Sequence, residues 1–122
     1  MNSRSKGKRG ELEAVQLLKR FGFQAKRGQQ YKGGPDSPDL ICPDLDDYHF
    51  EVKRTEAFNL YGALQQATQD SRIDQVPVVL HRKNQQGWVV VVDAEHFLWM
   101  VTELKNHERL CPKPEWTVAH DD

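Results

Sequence analysis

Asp39 opens a short apolar run, Leu40-Ile41-Cys42, and Glu51 and Lys53 stand two apart within a second run, Tyr48 to Arg54. Side chains alternate along an extended strand, so Glu51 and Lys53 share one outward face while Phe50 and Val52 turn to the core. If Pro43 to Asp47 turns the chain into a hairpin, the Asp39 carboxylate comes close to Glu51. Two carboxylates held together repel unless one keeps a proton or a cation lies between them. A hard divalent ion such as magnesium suits this donor set, because it accepts one or two carboxylates, retains waters and leaves room for a phosphate. Such an ion acidifies a water and offsets charge developing on phosphoryl oxygens. Lys53, a compact cation beside it, can orient that water or meet the developing charge. The chemistry open to this group is phosphodiester hydrolysis, and without the ion its acids would repel DNA.

The elements that must hold these groups follow from periodicity. Leu12, Val15, Leu18 and Phe21 recur at helical spacing, and Gly22 follows where a helix takes a left-handed residue, predicting a first helix from near Lys8 to Phe21. Phe23 to Lys26 reads as a first strand, followed by a glycine- and proline-rich loop. Asp39 to Cys42 and Tyr48 to Arg54 are the second and third strands, antiparallel to each other. Asn59 is suited to cap a second helix carrying Leu60, Ala63, Leu64 and Ala67 up to about Arg72. VPVVL and WVVVV read as buried strands joined by the turn KNQQG. Asp93 then caps a last helix, Ala94 to Leu104, apolar on nearly every side through Phe97, Leu98, Trp99, Met100 and Val101. The order is helix, three strands, helix, two strands, helix: an α/β protein with a mixed sheet flanked by helices.

A chain of 122 residues, 38% hydrophobic and 29% charged, fits one rather polar globular domain. Its basic start, MNSRSKGKRG, lacks the apolar centre of a signal peptide, and no run is long enough to cross a bilayer. A cytoplasmic location is expected, with Cys42 buried and both Cys42 and Cys111 reduced. The net charge of -1 conceals segregation. Basic residues from Arg4 to Lys32 are opposed there only by Glu11 and Glu13, whereas acids dominate from Asp36 to Asp47. A basic face of this kind attracts phosphate backbones, although a solvated lysine-rich helix has the same composition. No Ser-His-Asp arrangement, P-loop or dinucleotide fingerprint is present, and His107, Cys111 and His120 fit no usual zinc spacing.

In this order and context the residues resemble the PD-(D/E)XK nuclease superfamily, and within it the small Holliday junction resolvases of archaeal and phage type. The resemblance covers about residues 6–97. It rests on GKRGELEAVQLLKRFGF, with Glu11 ahead of Gly22-Phe23, on Pro38-Asp39, on Glu51-Val52-Lys53, and on ALQQA from Ala63 to Ala67. It implies a restriction endonuclease-like fold in αβββαββα order. It also implies a magnesium-dependent endodeoxyribonuclease, with manganese as a possible substitute, that acts on branched DNA in recombination and repair. By the same resemblance Asp39 and Glu51 bind the metal, the Val52 carbonyl is a further ligand, and Lys53 is the catalytic lysine. Glu11 would reach the site from the first helix, through a water or a second ion, and Gln66 would support the site or the scissile phosphate from the second. Pro35-Asp36 also spells the proline-aspartate pair, but the apolar strand follows Asp39, which leaves Asp36 to the loop. Glu11 is preferred to Glu13 for its spacing to Gly22.

Lys6, Lys8, Arg9, Lys26, Arg27, Lys32 and Arg54 are expected to bind phosphates without reading bases, which would suit a nuclease that recognises a branched shape, although each alone has the composition of a solvated side chain. His49 shares the face of Glu51 and Lys53 and borders the site or is an ordinary exposed strand residue. A last helix apolar all round asks for a second burial partner, which a twofold homodimer would supply together with paired active sites. The nuclease domain is expected over residues 1–104, and residues 105–122 as a tail, loosely held or docked through Trp116 and Val118. Two alternatives stand beside the resolvase reading: a repair or restriction-like nuclease acting on flaps, duplex or single strands, and a non-catalytic DNA-binding module on the same fold.

Overall fold

The computed structural model describes the backbone of residues 3–28 and 38–110, and side chains over 7–28 and 38–109. The elements are α1 (Ser3–Arg20), β1 (Lys26–Arg27), β2 (Leu40–Ile41), a 3-10 turn (Pro43–Leu45), β3 (Tyr48–Arg54), α2 (Leu60–Asp70), β4 (Val76–Arg82), β5 (Val89–Val91) and α3 (Ala94–Leu110). This is the order read from the sequence. Two compact units divide the chain, Met1–Val92 with the sheets and Asp93–Asp122 with α3.

The buried stripe of α1 runs through Glu11, Ala14, Val15 and Leu18, one face of a helix at i, i+3, i+4 and i+7. Leu12 and Phe21, expected on that stripe, are instead exposed. The inward face thus begins with an acid, and that is how Glu11 enters the interior. At the other end Gly22 adopts φ 89°, its N–H bonds the Lys19 carbonyl at 3.0 Å, and the Phe23 N–H reaches Leu18 at 3.2 Å. These two bonds form a Schellman cap, which a side chain at the left-handed position would strain.

β3 lies at one side of a three-stranded sheet of order β3-β4-β5. It pairs in parallel with β4 from Tyr48 opposite Val76 to Arg54 opposite Arg82, while β5 is antiparallel to β4. A parallel pair needs a long crossover, and α2 provides it. Asn59 caps α2 by accepting the Gly62 N–H at 3.0 Å. β1 and β2 form a separate antiparallel pair, Lys26 opposite Ile41 and Arg27 opposite Leu40. The expected hairpin ladder between β2 and β3 is therefore absent among the described residues. Pro43 has no N–H to donate, and the 3-10 turn that starts there carries the chain away before a ladder can register.

Core residues lie on both faces of β3 and β4. Ala14, Val15 and Leu18 of α1 meet Leu40, Cys42, Phe50, Val78 and Leu80 on one face, and Ala63 and Ala67 of α2 meet Val79 on the other. β5 was expected to be buried, but Val89 and Val90 are exposed, because this short strand is the sheet's edge and the two core clusters centre on β3 and β4. α3 extends past the expected end at Leu104 to Leu110; its last turn carries His107 and Arg109, cations that favour a helix C-terminus. Phe97, Leu98, Trp99 and Leu104 are exposed on it. Among the described residues no helix is long and apolar enough to cross a membrane.

Candidate active site

Asp39 is fixed through both its backbone and its side chain. The Gly28 N–H donates to the Asp39 carbonyl at 2.9 Å, and a Cβ on Gly28 would stand 1.9 Å from the Pro38 carbonyl oxygen, so only glycine lets β1 come this close. The Asp39 carboxylate in turn accepts the Val52 N–H at 2.8 Å, joining β2 to the edge of β3 by a side chain where a ladder was expected. Burial, then the charge of Glu51, push the Asp39 carboxyl up from 3.8 to about 7, with Glu11 adding to the rise and the Val52 N–H and Lys53 opposing it.

Glu51 and His49 do not face outward. They are 5% and 4% exposed, because α2 lies over their face of β3. The two oxygens of Glu51 point to different neighbours: Oε1 is 3.6 Å from Lys53 Nζ, and Oε2 is 3.9 Å from His49 Nε2. Lys53 Nζ also donates to Gln66 Oε1 at 3.0 Å, which joins α2 to the Glu51–Lys53 group. Beside them lies an open depression of about 400 Å³ lined by Lys53, Thr55, Phe58, Asn59, Gly62 and Gln66. A larger depression of about 790 Å³, around Glu13, Arg20, Arg82 and Trp88, shares none of these residues.

The two acids of α1 have separate surroundings. Glu11, 8% exposed, accepts Arg27 Nε at 2.6 Å, and its charge is felt at Asp39. Glu13 is taken up by Arg54 Nε at 3.0 Å and Arg82 Nη1 at 3.1 Å. Glu11 is thus the acid of α1 whose field reaches the Asp39 carboxyl. Arg54 is correspondingly withdrawn, its side chain only 12% exposed, and Arg27 is drawn into its pair with Glu11. Each is thus already paired with an acid of α1. Lys8, Arg9 and Lys26 are exposed. The Lys6 side chain, and Lys32, Asp36, Cys111, Trp116, Val118 and His120, lie outside the described residues.

The structure adds Asp70, at the end of α2, to this neighbourhood. Its carboxylate, the His49 ring and Glu51 place ligand atoms within 4.8 Å of one another. The signal was periodic: Ala63, Gln66, Ala67 and Asp70 stand at i, i+3, i+4 and i+7, so a helix that buries its two alanines brings Gln66 and Asp70 to the same side.

Compared with solved structures, the chain is similar to Hjc, a Holliday junction resolvase from the archaeal hyperthermophile Archaeoglobus fulgidus, with a TM-score of 0.54 and 21% identity over 71% of this chain and 72% of that one. No family model and no curated protein matches the sequence. The likeness establishes the fold, which is the mixed α/β fold expected from the PD-(D/E)XK resemblance.

Proposed function

We propose that the protein is a metal-dependent DNA endonuclease that hydrolyses phosphodiester bonds, and specifically a cytoplasmic resolvase of four-way junctions in recombination and repair. The observation that carries this reading is the meeting of Asp39, Glu51, Lys53 and Gln66 around the middle of β3, with Glu11 electrostatically linked to Asp39. Support for the junction as substrate comes from the shared fold with a protein whose own substrate is that junction.

Asp39 and Glu51 fit a divalent cation: they are neighbouring acids in a largely buried setting, and burial, then the charge of Glu51, raises the Asp39 carboxyl, a rise that a bound cation would offset. Asp39, Glu51 and the Val52 carbonyl would hold it, with magnesium the natural choice for oxygen donors and manganese a substitute. Once bound, the ion supplies acidity to a water and positive charge to phosphoryl oxygens. Lys53 has three donor hydrogens; Gln66 takes one, Glu51 attracts another, and the remainder is directed to a phosphate oxygen or the attacking water. Gln66 thereby fixes the ammonium. Lys8, Arg9 and Lys26, joined by Lys6 and Lys32, hold the DNA backbone, while Arg27 and Arg54 brace the acids of α1. A twofold homodimer through the exposed apolar residues of α3 would present two sites for paired cuts.

The test is incubation with labelled four-way junctions, flaps, duplex and single strands in magnesium or manganese, with Asp39→Ala and Glu51→Ala as controls. Metal-dependent junction cleavage, lost in both variants, is expected. No cleavage of any substrate would overturn the enzyme reading, and a preference for flaps or single strands would overturn the resolvase assignment alone. Light scattering at micromolar protein tests the dimer, against which a monomeric mass would count.

A further inference from the structure

We infer that His49, Glu51 and Asp70 form a second cation site between β3 and the C-terminal end of α2, suited to a divalent transition ion that accepts imidazole, manganese or zinc. It rests on the proposed nuclease reading only in sharing Glu51. Three observations carry it. The ligand atoms of these residues converge within 4.8 Å, whereas donors sharing one ion at roughly 2.1 Å stand at most about 4.2 Å apart, so a small rotamer adjustment closes the set.

The second observation is His49 itself. Its side chain is 3% exposed and its Nε2 has no hydrogen-bond partner, which is costly for a buried polar atom. Glu51 Oε2, the carboxylate oxygen on its side, is 3.9 Å away, too far for a hydrogen bond. In the tautomer protonated at Nδ1, Nε2 carries a free lone pair directed into this gap. An ion between the ring and the two carboxylates would satisfy it.

The third is the local field. α2 ends at Asp70 and carries no basic residue in its last turn, so the partial negative charge of the helix C-terminus is left without a cation from its own side chains. One imidazole with two carboxylates also differs in chemistry from the oxygen donors around Asp39. Oxygen-only donors suit magnesium, and an imidazole shifts preference toward transition ions. Glu51, with one oxygen toward Lys53 and the other toward His49, joins the two sites.

Metal stoichiometry on the full chain, by calorimetry and by the electron paramagnetic resonance of free Mn2+, tests this. Two Mn2+ per chain are expected in the wild type, one of them displaced by excess Mg2+. Asp70→Asn, at a partly exposed helix end where folding is spared, and His49→Gln should each weaken the magnesium-resistant ion by about tenfold or more. Asp39→Asn should remove the other ion and leave the magnesium-resistant one, with Zn2+ then shifting the His49 ring resonances. One Mn2+ per chain, lost in Asp39→Asn but unaffected by Asp70→Asn and His49→Gln, would overturn the second site and leave the nuclease reading standing. Loss only in Asp70→Asn and His49→Gln would support the second site and count against a metal at Asp39.

Discussion

The carboxylate of Asp39 accepts the backbone N–H of Val52 at 2.8 Å, the residue between Glu51 and Lys53. One hydrogen bond therefore sets the spacing between the proline-aspartate strand and the Glu-x-Lys strand. Asp39→Asn keeps an acceptor there, whereas Asp39→Ala leaves a half-buried N–H unpaired at a cost of about 1–3 kcal/mol. Thermal unfolding should show Asp39→Ala well below the wild type and Asp39→Asn at or above it, while both lose metal-dependent cleavage. Equal destabilisation by the two would mean the bond contributes little.

Stability should depend on pH through the same residue. The folded protein holds the Asp39 proton up to about 7, whereas an unfolded chain releases it near 3.8. The stabilisation is thus fully present below the unfolded value and is lost as pH rises through the folded one, by a few kcal/mol at most. Metal-free melting temperature should fall between pH 4 and pH 7 in the wild type, and less so in Asp39→Asn. Added Mg2+ should raise it increasingly across that window, because binding displaces the proton.

Lys53 and Gln66 should separate chemistry from folding. Removing the amide in Gln66→Ala frees the ammonium without uncovering a core, so stability should change by less than about 0.5 kcal/mol. Single-turnover cleavage should slow by about tenfold in Gln66→Ala and by roughly 10² or more in Lys53→Ala. DNA binding in calcium, followed by fluorescence anisotropy, should be nearly unaltered by Gln66→Ala.

The basic residues divide into two kinds, and salt tells them apart. Lys8→Ala and Arg9→Ala should each lower the slope of log affinity against log salt by about 1 without shifting the melting temperature. Arg54→Ala should do the reverse. It leaves Glu13 with Arg82 alone in a part-buried pair, at about 1–3 kcal/mol, and barely touches the salt slope.

Residues that act within one strand or one helix were legible in the sequence. The bounds of β3, the Asn59 cap, the Gly22 turn and the α/β order followed from alternation, capping chemistry and 3.6-residue spacing. What the sequence could not display were relations set by packing. Whether the Glu51 face of β3 meets water or a helix depends on where α2 crosses, so Glu51 and His49 appeared exposed. The register of β2 depended on the 3-10 turn, which sent it to β1. VVVV looks alike in a central and an edge strand, and only the sheet order separates them. Asp70 stands on the same helical stripe as Ala63 and Ala67, and only their packing against Val79 shows that this stripe meets the sheet.

Because β3 alternates without interruption from His49 to Lys53, it has a reading frame in three dimensions. Inserting one residue after Phe50, inside the strand, would turn Val52 toward α2 and drive Glu51 and Lys53 against the side chains of α1. Such a chain would be inside out at its centre.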